Sequence, residues 1–200
     1  MSEFLSPVML EGRHVRLEPL TREHIAPLQR ATADGELWKL WYTTVPAPDG
    51  VDAYVDEALA MQAEGSALPF AVRSLASGDI VGCTRYCHAD AKNRRVEIGY
   101  TWYAASVQRT GVNTECKRLL LRHAFEALHC IRVELRTHWH NQKSRAAIAR
   151  LGARQDGVLR NDRILADGSY RDTVVFSIIA SEWPAVNRHL AFKLEQGNNA

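Results

Sequence analysis

The sequence lacks the features that mark exported, membrane-spanning and nucleic-acid-binding proteins. Its first ten residues, "MSEFLSPVML", have neither a basic start nor a sustained apolar core, so no signal peptide is predicted. No apolar run approaches the roughly 18 residues that a membrane-spanning helix requires. The net charge of +2 is too small to indicate a nucleic-acid partner by itself. These absences predict a cytoplasmic protein with neither a membrane nor a nucleic acid as partner.

Cysteine is also scarce, and its spacing indicates neither disulfides nor a metal. The four cysteines, Cys83, Cys87, Cys116 and Cys130, are expected to be reduced thiols because no export signal precedes them. His88 follows Cys87 directly, but no second Cys/His pair follows at zinc-finger spacing. We therefore expect no bound metal.

The common nucleotide-binding motifs are missing too. Neither G-x-x-x-x-G-K-[ST] nor G-x-G-x-x-G occurs, which excludes a Walker loop and a Rossmann fingerprint. The 200 residues, of which 46% are hydrophobic and 24% charged, suit one globular domain without internal repeats. We predict a single domain over residues 1–196 and a disordered tail over residues 197–200.

The sequence does contain a series of short strands, followed by alternating strands and helices. Apolar and polar residues alternate as in strands over residues 14–20, 69–75, 80–90 and 94–103, and two helices precede the second of these strands. Then follow a helix over residues 114–129, a strand over 131–139, a second helix over 141–152 and a closing hairpin over 154–179. This order predicts an α/β (α+β) fold, with a mixed, mostly antiparallel sheet of about seven strands flanked by helices.

A phosphate site is one interpretation of residues 108–114, "QRTGVNT", which join a strand to a helix. The first amides of a helix have no intrahelical partners, and the helix dipole places partial positive charge there. Gly111 lets the backbone approach a ligand closely, and Arg109 adds a fixed charge. Taken alone, however, the stretch favours an ordinary helix start that Asn113 or Thr114 caps.

The order of elements around this loop changes that weighting. The loop follows the strand "EIGYTWY", and its helix leads through a further strand to the helix "HNQKSRAAIARLGA". In this order the chain resembles the GNAT superfamily of acyl-CoA-dependent N-acyltransferases, and most closely its RimJ/RimL-like branch, over nearly its whole length. The resemblance implies a GNAT fold that is splayed between strands 4 and 5, here residues 94–103 and 131–139, and acetyl-CoA as co-substrate. Ten basic residues against three acidic ones in residues 108–154 fit such a polyanionic ligand.

The resemblance also implies which residues contact coenzyme A. The family's pyrophosphate loop, Gln/Arg-x-x-Gly-x-Gly/Ala, corresponds to Gln108, Arg109, Thr110, Gly111, Val112 and Asn113, followed by Thr114. Asn113 stands where the family has glycine or alanine. The end of strand 4, at Thr101, Trp102 and Tyr103, is expected to offer backbone groups to the pantetheine arm. Asn141 and Ser144 match the branch's Asn-x-x-Ser pattern and are expected near the same arm.

Direct transfer of an acetyl group needs a neutral amine, a polarised thioester carbonyl and a proton for the leaving thiolate. Glu97 is the candidate base, and a structural carboxylate paired with Arg94 or Arg85 is the equal alternative. Strand alternation predicts one shared face for Glu97, Gly99, Thr101 and Tyr103. A backbone N–H near Trp102 or Tyr103 is the candidate donor to the oxyanion.

The proton donor to the thiolate is less obvious, because Ile148 replaces the tyrosine that many family members use. Ser144, one helical turn earlier, is the candidate acid, and a hydrogen bond within its own helix is the alternative. His138 and His140 are further candidates because imidazole titrates near neutral pH.

The acceptor pocket is assigned to the aromatic residues Trp38, Trp41 and Tyr42. A small satellite core and a homodimer contact are the alternatives for this cluster. The resemblance implies an N-acetyltransferase that acts on a protein N-terminal α-amine or a small-molecule amine. A non-catalytic acyl-CoA-binding sensor or partner-binding module is the second hypothesis, and the missing tyrosine permits it.

Overall fold

The computed structural model describes residues 4–196 and contains one mixed sheet of eight strands. In chain order they are β1 Leu10–Glu11, β2 Val15–Pro19, β3 Leu68–Ser74, β4 Ile80–Asp90, β5 Arg95–Tyr103, β6 Arg132–His138, β7 Arg154–Ile164 and β8 Tyr170–Ile179. Their order across the sheet is β1-β2-β3-β4-β5-β6-β8-β7, and β5 and β6 form its parallel pair. The predicted mixed, mostly antiparallel sheet is confirmed, with the short β1 as an additional strand. The predicted tail, residues 197–200, lies outside the described residues.

Helices cover the two faces of this sheet unequally. They are α1 Ile25–Ala33, α2 Val51–Ala63, α3 Gly111–Arg122, α4 Gln142–Arg150 and α5 Trp183–Gln196. The last of these, α5, was not predicted from the sequence. Apolar residues of α3, α4 and α5 share one core with the strands, and those of α1 and α2 share a second core with β3, β4 and β5. On the α1–α2 face, the β6-β8-β7 half of the sheet therefore stays polar and open. Within residues 4–196, no helix combines the length and the apolar character that a bilayer crossing requires.

The parallel pair β5–β6 comes apart after three residues. The strands are in register at Arg95–Arg132, Val96–Val133 and Glu97–Glu134. Beyond these positions β5 continues to Tyr103 and β6 to His138, both within the described range, without further pairing to each other. The predicted splay between these two strands is confirmed, and it leaves a V-shaped slot with Glu97 at its closed end.

A β-bulge interrupts β5 beside this slot. The register of β4 with β5 shifts by one residue between Cys83 and Arg85, so Tyr100 and Thr101 together stand opposite Thr84. Tyr100 has a φ of 51°, which is unusual for a residue with a Cβ and accommodates the extra residue.

The bulge changes which face of the sheet the residues of β5 occupy. Val96, Ile98 and Tyr103 belong to the core under α3, whereas Trp102 belongs to the core under α1 and α2, with Tyr100 packed against it. The predicted shared face of Glu97, Gly99, Thr101 and Tyr103 is therefore wrong beyond Gly99. The physical reason is that one inserted residue reverses the two-residue alternation of a strand for everything that follows.

Candidate active site

The slot opens on the α1–α2 side into a cleft with a cavity volume of about 170 Å³. It is bounded by β5, β6, the loop at residues 34–50, the start of α4 and the β7–β8 hairpin. Its lining includes the predicted site residues Tyr42, Glu97, Thr101, Trp102, Asn141 and Ser144, which come from three separate segments: the loop at residues 34–50, β5 and the start of α4. The tertiary structure thus brings together residues that the sequence assigned to three different roles.

Glu97 lies at the closed end of the slot, with only 9% of its side chain exposed. Its Oε2 is 2.9 Å from His88 Nδ1 and 3.4 Å from Arg136 Nε. The alternative of a carboxylate paired with a nearby arginine is met by Arg136, and the two examples that the sequence suggested, Arg94 and Arg85, are wrong. Arg85 is buried instead under aromatic rings, with its guanidinium 3.9 Å from the Tyr100 ring, and Arg94 lies exposed in the turn before β5.

His88 connects Glu97 to the surface and was missed by the sequence interpretation. It lies at a second register shift of β4, has a φ of 48°, and keeps 54% of its side chain exposed. The hydrogen bond with Glu97 raises the pKa of His88. A second cavity, of about 190 Å³, lies behind the pair and includes His88, Glu97 and Arg136 in its lining. Glu97 therefore faces the cleft on one side and a polar opening on the other.

Cys87, His88 and Glu97 place three potential ligand atoms within 4.8 Å of one another. Burial raises the pKa of the Cys87 thiol, so the sulfur stays protonated, and it donates to the backbone carbonyl of Glu97 at 3.8 Å. The guanidinium of Arg136 beside Glu97 adds a positive charge that opposes a bound cation. The arrangement therefore favours a bound proton over a bound metal ion.

The start of α4 forms the opposite wall of the cleft. Asn141 caps the helix, and its Oδ1 accepts the N–H of Ser144 at 3.0 Å. Ser144 lines the cleft, whereas Ile148, one turn later, is buried in the core. Ser144 is therefore placed to reach a ligand, and the side chain at position 148 is not.

His138 offers a second polar group in the cleft. The side chain is 3% exposed, and its Nδ1 accepts the backbone N–H of His140 at 3.0 Å, so in the neutral ring the proton lies on Nε2. Burial lowers the pKa of His138, which favours this neutral form. The Nε2 atom is buried and has no hydrogen-bond partner among the described residues. Such an unpaired donor is costly unless a ligand or water satisfies it.

The predicted aromatic cluster divides into separate roles. Tyr42 lines the cleft, but Trp38 is not among the lining residues that the structure describes. The Trp41 ring packs edge-on against His138, with 4.9 Å between ring centroids, and also contacts His140. At 57% exposure, Trp41 also keeps enough free surface for the homodimer contact that the sequence left as an alternative.

The predicted phosphate loop ends in a helix that starts three residues earlier than expected. α3 begins at Gly111, and its N-cap is Thr110, whose Oγ1 accepts the Val112 N–H at 3.3 Å. The predicted caps, Asn113 and Thr114, lie inside the first turn, so this prediction is wrong. The reason is that Arg109, with a φ of 63°, turns the chain sharply and leaves Thr110 extended in the N-cap conformation.

This helix start is tied to the open end of the slot. The Gln108 side chain donates to the Tyr103 carbonyl at 3.1 Å, which joins the loop to the last residue of β5. The first-turn amides of α3 therefore point out beside the slot. The Val112 N–H is capped by Thr110, and the other amides of the turn can donate to an anion, because the opening turn of a helix leaves its N–H groups without intrahelical partners.

The backbone of β5 divides its hydrogen bonds between β4 and the slot. The Ala104 N–H donates to Val81 O of β4 at 2.8 Å. The Trp102 carbonyl oxygen also faces β4, because a Cβ at Gly82 would collide with it. Because backbone direction alternates along a strand, the Tyr103 N–H faces the slot. Of the two predicted oxyanion donors, Trp102 and Tyr103, the geometry therefore favours Tyr103.

Lys117 is the least expected group near the slot. It is one of the ten basic residues counted above in residues 108–154, but it is 5% exposed, and its Nζ donates to Thr101 Oγ1 at 2.6 Å. Burial lowers its pKa from 10.5 to about 8. Thr101 Oγ1 is also 2.7 Å from Thr84 Oγ1, so the lysine anchors the bulged segment of β5 from below.

Known proteins that are similar to this chain carry acetyltransferase descriptions. The family model described as "Acetyltransferase (GNAT) domain" matches residues 14–154. A Bacillus subtilis (strain 168) protein, provisionally named ribosomal N-acetyltransferase YdaF, is 35% identical over 109 residues, which are 54% of this chain and 58% of that protein. The chain thus spans less than two thirds of the length of this curated relative.

Solved structures agree over more of the chain. A GCN5-related N-acetyltransferase from Brucella melitensis is 31% identical, with a TM-score of 0.84 over 95% of this chain and 86% of that one. Mycobacterium smegmatis RimJ, solved in complex with CoA-disulfide, shares the fold at 23% identity, with a TM-score of 0.79 over 94% and 95% of the two chains. The slot between β5 and β6, the helix start beside it and the matched family model agree: the chain belongs to the GNAT family of acetyltransferases.

Proposed function

We propose that the chain transfers an acetyl group from acetyl-CoA to a primary amine by direct attack within a ternary complex. The acceptor is a protein N-terminal α-amine or a small-molecule amine, and residues 1–196 act as a single domain. The observation that carries the proposal is the slot between β5 and β6, with Glu97 at its closed end and the N-terminus of α3 at its open end. The relatives' names, ribosomal N-acetyltransferase and RimJ, favour a peptide terminus.

Coenzyme A is assigned to this slot by charge and shape. Its pyrophosphate is placed on the first-turn amides of α3, where Gly111 leaves the backbone open and Arg109 adds charge. Its pantetheine arm is placed along the free edge of β5 at Thr101, Trp102 and Tyr103, with Asn141 opposite. The CoA complex of the RimJ neighbour supports a ligand of this kind.

The proposed reaction moves two protons. The neutral amine nitrogen bonds to the thioester carbon, the C–S bond breaks, and the amine proton passes to Glu97, with His88 as its route to solvent. The Tyr103 N–H stabilises the oxyanion. The leaving thiolate takes its proton from Ser144, as the sequence predicted, whereas the neutral His138 ring contributes a hydrogen bond from its Nε2–H and no proton.

The proposed setting is cytoplasmic, because Cys83, Cys87, Cys116 and Cys130 are all unpaired and buried. A reducing compartment keeps such thiols intact.

A panel assay tests this function. The protein is incubated with acetyl-CoA and peptides or small amines, thiol release is recorded, and the acetylated product is identified by mass spectrometry. We expect release that depends on the amine. Tight CoA binding without stimulation by any amine would instead support the second candidate, a non-catalytic acyl-CoA sensor, which the buried Ile148 in the place of the tyrosine acid favours.

Gly111→Ala is expected to weaken CoA binding without harming the fold. A Cβ at this position would meet His14 Cδ2 and Leu194 Cδ2 at 3.5 Å, an ordinary contact, so the protein itself leaves room for it. Alanine should even stabilise the helix by up to about 1 kcal/mol. The added methyl group of Gly111→Ala would take space from a phosphate held against the helix amides. Gly111→Glu should abolish CoA binding, because its side chain is bulky and carries the same charge as the phosphate. Calorimetric titration with CoA, alongside thermal unfolding, measures both effects.

Asn113→Ala is the matched control for Gly111→Ala, because it reduces the bulk in the same helical turn and is expected to keep or improve CoA affinity. If Gly111→Ala and the wild type bound CoA with equal affinity, the placement of the pyrophosphate at this loop would be contradicted.

A further inference from the structure

The acceptor side of the cleft carries three arginines, of which the proposed transfer employs none directly. Arg136 of β6, Arg163 of β7 and Arg171 of β8 all line it. Against them stands a single carboxylate among the lining residues, that of Glu97. A pocket built only for a free amine would gain nothing from such an excess, because an ammonium group is repelled by neighbouring positive charge.

Arg136 is already engaged by acidic partners. Its Nε lies 2.5 Å from Glu134 Oε1 and 3.4 Å from Glu97 Oε2. Its charge therefore serves to orient the proposed base, and the remaining two arginines are the ones that need an explanation.

Arg163 and Arg171 stand directly opposite each other in the β7–β8 register. Like charges at opposed positions destabilise a strand pair, and the carboxylate of Asp162, which lies near both guanidinium groups, compensates only one of the two charges. Arg171 Nε donates to Thr173 Oγ1 at 3.0 Å, and no ion pair of Arg171 is present within residues 4–196. Arg163 Nε is 3.7 Å from Asp162 Oδ2, which is too far for a strong hydrogen bond. Each guanidinium thus keeps further N–H donors for a ligand.

His138 adds an independent observation at the same corner. Thr173, which accepts from Arg171, is the register partner of His138 across β6 and β8. The Nε2–H of His138 is buried, lines the same cleft and has no partner among the described residues. An oxygen ligand held by the arginines would also satisfy this donor.

Resting on the proposed amine acetylation, we propose that the acceptor carries its own anionic oxygen group, a carboxylate or a phosphate, which Arg163 and Arg171 bind while its amine lies at Glu97. Guanidinium groups match such oxyanions with paired, charge-assisted hydrogen bonds. Polycationic acceptors, such as polyamines, are disfavoured by the same charges. Within the peptide class, the proposal selects termini with an acidic residue at or next to the first position.

Matched acceptors test this inference. The kcat/KM of acetyl transfer is measured for short peptides that differ only near the terminus: Asp or Glu against Asn or Gln, a phosphoserine peptide, a lysine peptide, and spermidine as the polycation. We expect the acidic peptides to exceed their amide counterparts by about tenfold or more, as one charge-assisted contact allows. The ratio between the carboxylate and phosphoserine peptides identifies which anion fits.

Variants connect the preference to the two arginines. Arg163→Gln, Arg171→Gln and their combination should collapse the ratio of acidic to amide peptides towards one. Arg160→Gln, on the same strand but paired with Asp172 outside the cleft, should leave the ratio unchanged. Calorimetric binding of the acidic peptide to the CoA-loaded protein gives a readout that does not need turnover, and Arg163→Lys shows whether charge alone suffices.

The outcomes separate this inference from the function on which it rests. Transfer to neutral or basic peptides as efficient as to acidic ones, or a preference that survives in both glutamine variants, would overturn the anion site and leave the transferase standing. Failure of every amine, acidic ones included, to be acetylated or to bind would overturn both.

Discussion

Glu97→Gln is expected to lower kcat by about a hundredfold or more while CoA affinity is unchanged, because a general base contributes about 10²–10⁴-fold to such a step. Glutamine has nearly the same shape but cannot take a proton from the amine. The cleft-facing position at the closed end of the slot, with His88 at 2.9 Å and solvent behind it, is what singles out this carboxylate. Steady-state thiol release gives kcat, and calorimetry gives the dissociation constant of CoA.

Glu134→Gln is the matched control for this prediction. Glu134 stands opposite Glu97 in the parallel register and also binds Arg136, yet it is not among the residues that line the cleft. A substitution there should perturb Arg136 without removing the base. If Glu134→Gln reduced kcat as much as Glu97→Gln, the loss of rate would come from a displaced Arg136 and not from the loss of a base. If Glu97→Gln left the rate unchanged at every pH, the base assignment would be lost.

Glu115→Ala is expected to be the most damaging single change to stability, by about 3 kcal/mol or more, since each buried donor left unsatisfied costs about 1–3 kcal/mol. The buried Glu115 carboxylate accepts three successive backbone N–H groups, from Arg13, His14 and Val15, at 2.9, 2.6 and 2.9 Å. Gly12 permits this cradle, because a Cβ there would collide with the carboxylate. Urea unfolding followed by circular dichroism measures the loss.

Arg122→Ala, at an exposed position of the same helix, is the control for Glu115→Ala and should change the unfolding free energy by less than about 0.5 kcal/mol. Because the cradle also holds His14 against the start of α3, Glu115→Ala should weaken CoA binding as well. An unfolding free energy close to that of the wild type would show that the segment at residues 12–15 is held by other contacts.

The sequence predicted correctly those features that repeat locally or form short motifs. Strand and helix periodicity placed β2 to β8 and α3 to α4 within a few residues, and the loop around Gly111 with its neighbours predicted the family. The splay was predicted through that resemblance, and the structure confirms it where β5 and β6 stop pairing after Glu97. The sequence singles out Glu97, Asn141 and Ser144 as candidate site residues, and the structure places all three in one cleft.

The bulge at Tyr100 and Thr101 could not be predicted from periodicity. One extra residue in a strand leaves no local signal, yet it moved Tyr103 to the opposite face of the sheet. The helix start at Gly111 was missed for a similar reason, because the positive φ of Arg109 belongs to a residue type that rarely adopts it.

By itself, the sequence determined most of the order of the elements, the family and a set of candidate site residues, since these depend on neighbours along the chain. Only the tertiary structure decided that His88 and Arg136 hold Glu97, that Lys117 is buried under Thr101, and that Arg163 and Arg171 line the cleft. Each of these contacts joins different strands or helices of the fold. They depend on the strand register and on the half of the sheet that the helices leave uncovered. Both are set only when the chain has folded.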